Sequence, residues 1–199
     1  MTSSTGNPLP VFVITGQSGA GKGTLIKRLL ELFPQLELAV SATTRPRRPG
    51  EIDGVHYYFI TDEEFDRRLD AGDFLEYHAF PWGQRSGTLL SEFDRIGDQG
   101  KVSVLELETE GALEVADRIP GGVTIFVTAP IEELERRLRE RATESSGEIG
   151  ERLKVAREQK TVADRFDHIV ENDDLERAVG ELSGLVRRYA VPAATMPKR

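Results

Sequence analysis

The chain predicts an α/β fold, a parallel sheet with helices on both faces. Two observations carry this. Short apolar runs of strand length alternate with helical periodicity along most of the chain, and strands separated by helices form a parallel sheet covered on both sides. A glycine-rich loop ending in lysine joins the first apolar run to the first helix, which makes the sheet of the P-loop type.

The elements follow in order. Residues 11–15 read as a buried strand, and Leu25, Ile26, Leu29, Leu30 and Phe33 recur at helical spacing. Residues 36–40, 102–107, 122–127 and 167–170 supply four further strands. Helices are expected at 110–118, 131–143, 148–164 and 174–189. Residues 41–88 break the rhythm with a Pro- and Arg-rich turn, then His56-Tyr57-Tyr58-Phe59-Ile60 and Phe74-Leu75-Glu76-Tyr77 around a short helix. They read as a small α+β insertion. Residues 136–160, two charged helices joined by Thr143-Glu144-Ser145-Ser146-Gly147, read as a second appendage. Parts placed this way close over a ligand. The expected division is a core of 10–40, 89–135 and 161–191, the insertion 41–88, a helical lid 136–160, and flexible tails at 1–9 and 192–199.

Composition narrows the function. A length of 199 residues fits one core with inserted parts. No apolar run approaches the roughly 20 residues that span a bilayer. The start, Met-Thr-Ser-Ser-Thr-Gly-Asn-Pro, lacks the basic and then apolar order of a secretory signal. The absence of Cys excludes disulfide scaffolds and zinc ribbons. The expectation is a cytoplasmic protein, monomer or homodimer, with no membrane partner. With 26 Lys and Arg against 34 Asp and Glu, the net charge of −8 argues against nonspecific nucleic-acid binding. On this acidic background, Arg45-Pro46-Arg47-Arg48 and the group Arg136, Arg137, Arg139 and Arg141 point to a small polyanionic ligand.

The strongest motif is Gly16-Gln17-Ser18-Gly19-Ala20-Gly21-Lys22-Gly23-Thr24. Its glycines let successive N–H groups wrap a polyphosphate, the helix N-terminus adds partial positive charge, and Lys22 adds a full one. The residue after the lysine is usually Ser or Thr, whose hydroxyl ligates Mg²⁺; here it is Gly23, with Thr24 next. In this the loop resembles those of nucleoside monophosphate kinases such as adenylate kinase. That resemblance implies Mg²⁺ carried mainly by nucleotide oxygens and water, with no dedicated protein metal site. Glu106, at a strand end, is placed to orient those waters.

The segment Ser41-Ala42-Thr43-Thr44-Arg45-Pro46-Arg47-Arg48-Pro49-Gly50-Glu51 and then Gly54-Val55-His56-Tyr57-Tyr58-Phe59, taken with the loop, resembles guanylate kinase. Phe74-Leu75-Glu76, the arginines at 137, 141 and 152, and Asn172-Asp173-Asp174-Leu175 follow in that family's order. The resemblance implies transfer from ATP to GMP, on a core with a monophosphate-binding domain and a lid. It puts residues 16–24 and Asn172 on ATP, with Lys22, Arg137, Arg141 and Arg152 gripping the transferring phosphates. It puts Ser41, Arg45, Arg48, Glu51, Tyr57, Glu76, Ser86, Thr88, Glu106 and Glu108 at the GMP site. Guanidinium groups suit a dianionic phosphate, and a carboxylate at Glu76 accepts the two N–H donors on one edge of guanine. Adenine would leave that carboxylate unpaired.

Three departures stand out. Trp82-Gly83-Gln84-Arg85-Ser86-Gly87-Thr88 has Ser86 where the family has Tyr, and the spacing from Glu76 is one residue longer, so Arg85 or Trp82 is a candidate replacement. Glu108-Thr109-Glu110-Gly111 places Glu110 where Gln is usual. Ala142 follows the lid arginine where Gly is common. Two other readings therefore stay open here: a binding module that has lost turnover, and a related kinase acting on another phosphorylated acceptor.

Overall fold

A computed structural model of the chain describes residues 10–80, 83–119, 121–140 and 146–190. Both expected tails, Trp82, Arg141 and Ala142 lie outside them. In chain order the elements are β1 (Val11–Gly16), α1 (Lys22–Leu32), β2 (Leu36–Leu38), β3 (Ser41–Thr43), β4 (Tyr58–Phe59), α2 (Asp62–Asp70), β5 (Phe74–Ala79), β6 (Arg85–Leu89) and α3 (Leu90–Asp98). There follow β7 (Val102–Glu106), α4 (Thr109–Arg118), β8 (Gly122–Thr128), α5 (Ile131–Glu140), α6 (Ser146–Lys160), a 3₁₀ turn (Ala163–Arg165), β9 (His168–Glu171) and α7 (Leu175–Ala190).

The central sheet has the order β2-β7-β1-β8-β9, and every pairing in it is parallel. Its middle strand shows why the apolar run is unbroken. Phe12 and Ile14 enter a core with Leu25 and Leu29 of α1 and Leu182 of α7. Val11 and Val13 enter the opposite core with Ile96 of α3 and Val115 of α4. A strand buried on both faces has no polar side to show. Leu134 and Leu138 of α5, and Ile149, Leu153 and Ala156 of α6, also pack into the first core.

A second sheet, ordered β4-β3-β6-β5, lies in the 41–88 segment. One face is covered by α2 through Phe65, whose ring stacks on Phe74 at 4.5 Å. Thr61 caps α2 by accepting the Glu64 N–H, and three acidic residues occupy its first turn, where the helix dipole favours them.

The structure differs from the sequence expectation at the crossover between sheets. The second strand stops at Leu38. The Ala39 N–H still reaches Val104 O, but the Val40 N–H turns to the Glu92 carboxylate at 3.0 Å, and the chain enters the second sheet at Ser41. The turn-like reading of this segment missed β3 and β6. Helix α3 was not anticipated, although Leu90, Phe93 and Ile96 carry its spacing. The helix expected at 148–164 ends at Lys160 and hands over to the 3₁₀ turn.

Candidate active site

The glycine-rich loop leaves the C-terminal end of the central strand, where open α/β sheets place their ligands. The Gln17 N–H holds Val127 O at 3.0 Å, and the Ala20 N–H closes a turn on Gln17 O at 3.1 Å. Gly21 caps α1 with φ of 85°, and a Cβ there would meet Asn172 Nδ2 at 2.7 Å. Only glycine meets both demands. The Lys22 ammonium donates to Gly16 O at 2.9 Å, so its stem curls back over the loop.

One wall beside the loop is built from the far end of the chain. Asn172 Nδ2 donates to Ala20 O at 2.7 Å, while the buried Asn172 Oδ1 has no partner among the described residues. Arg137 is held by Glu133 at 2.7 Å and donates to Ala20 O and Asn172 O at 3.2 and 2.8 Å. These groups, with Gly19, Thr24, Glu140 and Leu175, line a cavity of about 340 Å³. On the other side of the α1 N-terminus, Gly23 shares a groove with Glu106. The Glu106 carboxyl opens to the cleft but is crowded by protein elsewhere. That desolvation pushes its pKa up, Lys22 works the opposite way, and Glu108 adds to the rise. Glu108 itself is the N-cap residue of α4.

The second sheet presents two rows of side chains on one face. Ser41 pairs with Thr88, and Thr88 with Glu76; the next row is Thr43, Ser86 and His78. Directly opposed residues of antiparallel strands share a face. Glu76 reaches this face because of a β-bulge between Phe74 and Glu76. Phe74 and Tyr77 pack toward Phe65, whereas Leu75 joins the central core and Glu76 turns the same way. Glu76 is only 6% exposed and accepts the Thr88 N–H at 2.9 Å. Burial pushes its pKa up, against the opposing hydrogen bonds from Thr88.

Arg45 forms a two-pronged pair with Glu51 at 2.5 and 2.7 Å and lies over the Tyr57 ring at 4.9 Å. The Arg48 N–H also reaches Glu51, at 2.7 Å, while its side chain is exposed. The Arg45 guanidinium and Arg48 N–H hold the Glu51 carboxyl down at about 2. Burial, and then the Glu106 carboxylate, push the Tyr57 phenol up, so Tyr57, just before β4, and Glu106, at the end of β7, lie within electrostatic reach of one another.

Several expectations change. Arg85 cannot replace the missing Tyr: its guanidinium pairs with Asp62 at 2.7 Å and with Asp66 and stacks on Phe65 at 4.5 Å, on the helix-covered face. Glu110 stands 3.5 Å from His78 Nδ1 with its side chain largely exposed. Arg152 sits on α6, and Arg141 lies outside the described residues. Sequence reasoning missed Glu92, which receives the Val40 N–H, Tyr58 hydroxyl and Arg95, and Gln159, which accepts the Ser18 N–H at 2.9 Å. A glutamate three residues before an arginine was the only local signal for the first, and the second had none.

Comparison with known proteins gives one answer. The guanylate kinase family profile matches residues 9–189. Over 177 residues the chain is 42% identical to a guanylate kinase of Symbiobacterium thermophilum, covering 88% of this chain and 83% of the relative. It is 44% identical over 180 residues to one of Thermosynechococcus vestitus, covering 90% and 94%. The crystal structure of guanylate kinase from Anaplasma phagocytophilum superposes with a TM-score of 0.74 at 27% identity, covering 93% of this chain and 88% of that one.

Proposed function

The chain belongs to the guanylate kinase family and is an ATP:GMP phosphotransferase, and we propose that it divides this reaction between the two sheets. The phosphate loop of the central sheet holds the donor, and the inward face of the second sheet holds GMP. The observation that carries this reading is the row Ser41, Thr88 and Glu76, two hydroxyls leading to a buried carboxylate at its end. Glu76 accepts the N1–H and 2-amino group of guanine, and Ser41 donates to its O6. Thr88 lies between them.

Arg45, with Arg48 and Tyr57, takes the GMP phosphate. Glu51 holds the Arg45 guanidinium in place over the Tyr57 ring, so little freedom is lost on binding. Asn172 selects the donor base: its Oδ1, unpartnered among the described residues, accepts an N–H, which the 6-amino group of adenine offers and the guanine carbonyl at that position does not. Arg137 fixes the wall of this cavity. Lys22, Arg152 and Arg141 supply positive charge to the transferring group.

The attacking atom is already an anionic phosphate oxygen, so no strong general base is required. Charge that spreads over the equatorial oxygens in the transition state is met by fixed cations and loop N–H groups. The residues fit Mg²⁺ that arrives with ATP. Gly23 brings no hydroxyl, and among the described residues no group of three His, Cys or acidic side chains forms a cage. Glu106, beside Gly23, would hold the waters of such an ion. When bound, Mg²⁺ neutralises charge on the β- and γ-phosphates.

Among the described residues no helix is long and apolar enough to cross a membrane. The test is Lys22→Ala. Transfer is expected to fall by at least about 10³-fold while GMP still binds; near-native kcat would remove Lys22 from the donor site.

A further inference from the structure

Two glutamines tie the phosphate loop to α6 through side-chain hydrogen bonds made within the protein. Gln17 is 1% exposed and its amide bonds three neighbours. Its Oε1 accepts the Thr128 hydroxyl at 2.5 Å and the Ala129 N–H at 3.0 Å. Its Nε2 donates to Ala156 O of α6 at 2.9 Å. From the other side, Gln159 Oε1 accepts the Ser18 N–H at 2.9 Å. Two successive loop residues are thus bonded to two adjacent turns of one helix.

Helical geometry extends this contact to Arg152. Positions 152, 156 and 159 follow the i, i+4, i+7 spacing that defines one helix face, and Ala156, in the middle, is fully buried. Arg152 stands one turn, about 6 Å along the axis, before Ala156. We propose that Gln17 and Gln159 are positioning residues that register α6 on the phosphate loop and so set Arg152 at the transferring phosphoryl group. This rests on the reading of Arg152 as a phosphate-gripping cation.

The chemistry favours amides in this role. Gln17 must accept from a hydroxyl and an N–H and donate to a carbonyl through one side chain, which neither a carboxylate nor an alkyl group can do. A neutral acceptor at 159 also binds the loop without adding negative charge beside the donor phosphates.

The test is a double-mutant cycle on Gln159 and Arg152. Gln159 is partly exposed, so Gln159→Met keeps the length and removes the amide acceptor together with its N–H donor. Arg152→Ala alone is expected to lower kcat by about 10²-fold. Gln159→Met is expected to lower kcat at least about tenfold, with KM for GMP and the unfolding midpoint close to native, and to add little in the Arg152→Ala background. A native kcat for Gln159→Met, or a full multiplicative loss in the double variant, overturns the inference while leaving Arg152 on the phosphates. If Arg152→Ala itself keeps native kcat, the reading of Arg152 fails, and the inference fails with it. Hydrogen exchange at the Ser18 amide provides a readout independent of activity. It is expected to quicken in Gln159→Met, and an unchanged rate would show that the bond to Gln159 does not hold the loop.

Discussion

Glu76 and Gly111 share one small space: a Cβ on Gly111 would stand 2.7 Å from Glu76 Oε2. Helix α4, which follows β7, thus approaches the buried carboxylate of the second sheet so closely that an added methyl group forces a shift. In Gly111→Ala the carboxylate, being the movable partner, must yield. The expected result is a rise of about 10- to 100-fold in KM for GMP with ATP affinity near native, because an acceptor misplaced by about 1 Å loses paired hydrogen bonds. Separate titrations of the two nucleotides would check this.

The burial of Glu76 gives its role a pH signature. A carboxyl whose pKa is raised loses its charge at a higher pH than an ordinary glutamate, near about 4.3. Recognition of guanine by an acceptor requires the charged form. On acidification, kcat/KM for GMP should therefore begin to fall above the ordinary carboxylate range. In Glu76→Gln the overall value should drop and this acid limb disappear. A limb that persists unchanged in the variant belongs to another group.

The Arg45–Glu51 pair is expected to survive acidification far better. Glu51, held at about 2 by the Arg45 guanidinium and the Arg48 N–H, stays ionised wherever the protein can be assayed. Glu51→Gln keeps the shape but removes the charge that aligns Arg45. Its KM for GMP should rise about tenfold with kcat for saturating GMP largely kept; equal losses in both would mean that Glu51 acts in the transition state instead.

Glu92 fastens the crossover between the sheets. Burial works to raise its pKa, but Arg95, the Val40 N–H and the Tyr58 hydroxyl outweigh it and hold it below the ordinary value. A depressed carboxyl contributes stability that is present above its unfolded pKa and lost as pH falls through the folded one. Glu92→Gln should cost about 1–3 kcal/mol at neutral pH. The difference from native should shrink as the pH drops below about 4, measured by denaturant unfolding at each pH.

The core was legible from the chain because β1, β7 and β8 are apolar runs and α1, α5 and α7 repeat their apolar residues at helical spacing. The phosphate loop was legible because Gly and Lys at fixed spacing have few other uses. Of the second sheet and its helix, β4, α2 and β5 fall in the runs read as an α+β insertion, but β3 and β6 were not read: β3 is three residues long, and β6 opens on Arg85-Ser86-Gly87-Thr88, which offers no apolar alternation. The bulge that turns Glu76 inward has no sequence mark of its own. Family resemblance placed Glu76, Ser41 and Arg45 where local pattern gave only a strand acid and a basic turn. The pairing of Glu110 with His78 joins residues 32 positions apart by number, a relation set by tertiary packing. Gln159 escaped notice for the same reason.

The most direct test is ADP release from ATP and Mg²⁺ with GMP, AMP, CMP, UMP and ribose 1,5-bisphosphate as separate acceptors. The division of labour between the sheets predicts rapid turnover with GMP, and discrimination of about 10⁴-fold or more against AMP. Comparable rates with AMP, or turnover only with a phosphorylated sugar that carries no base, would contradict the assignment of Glu76 and Ser41 to guanine.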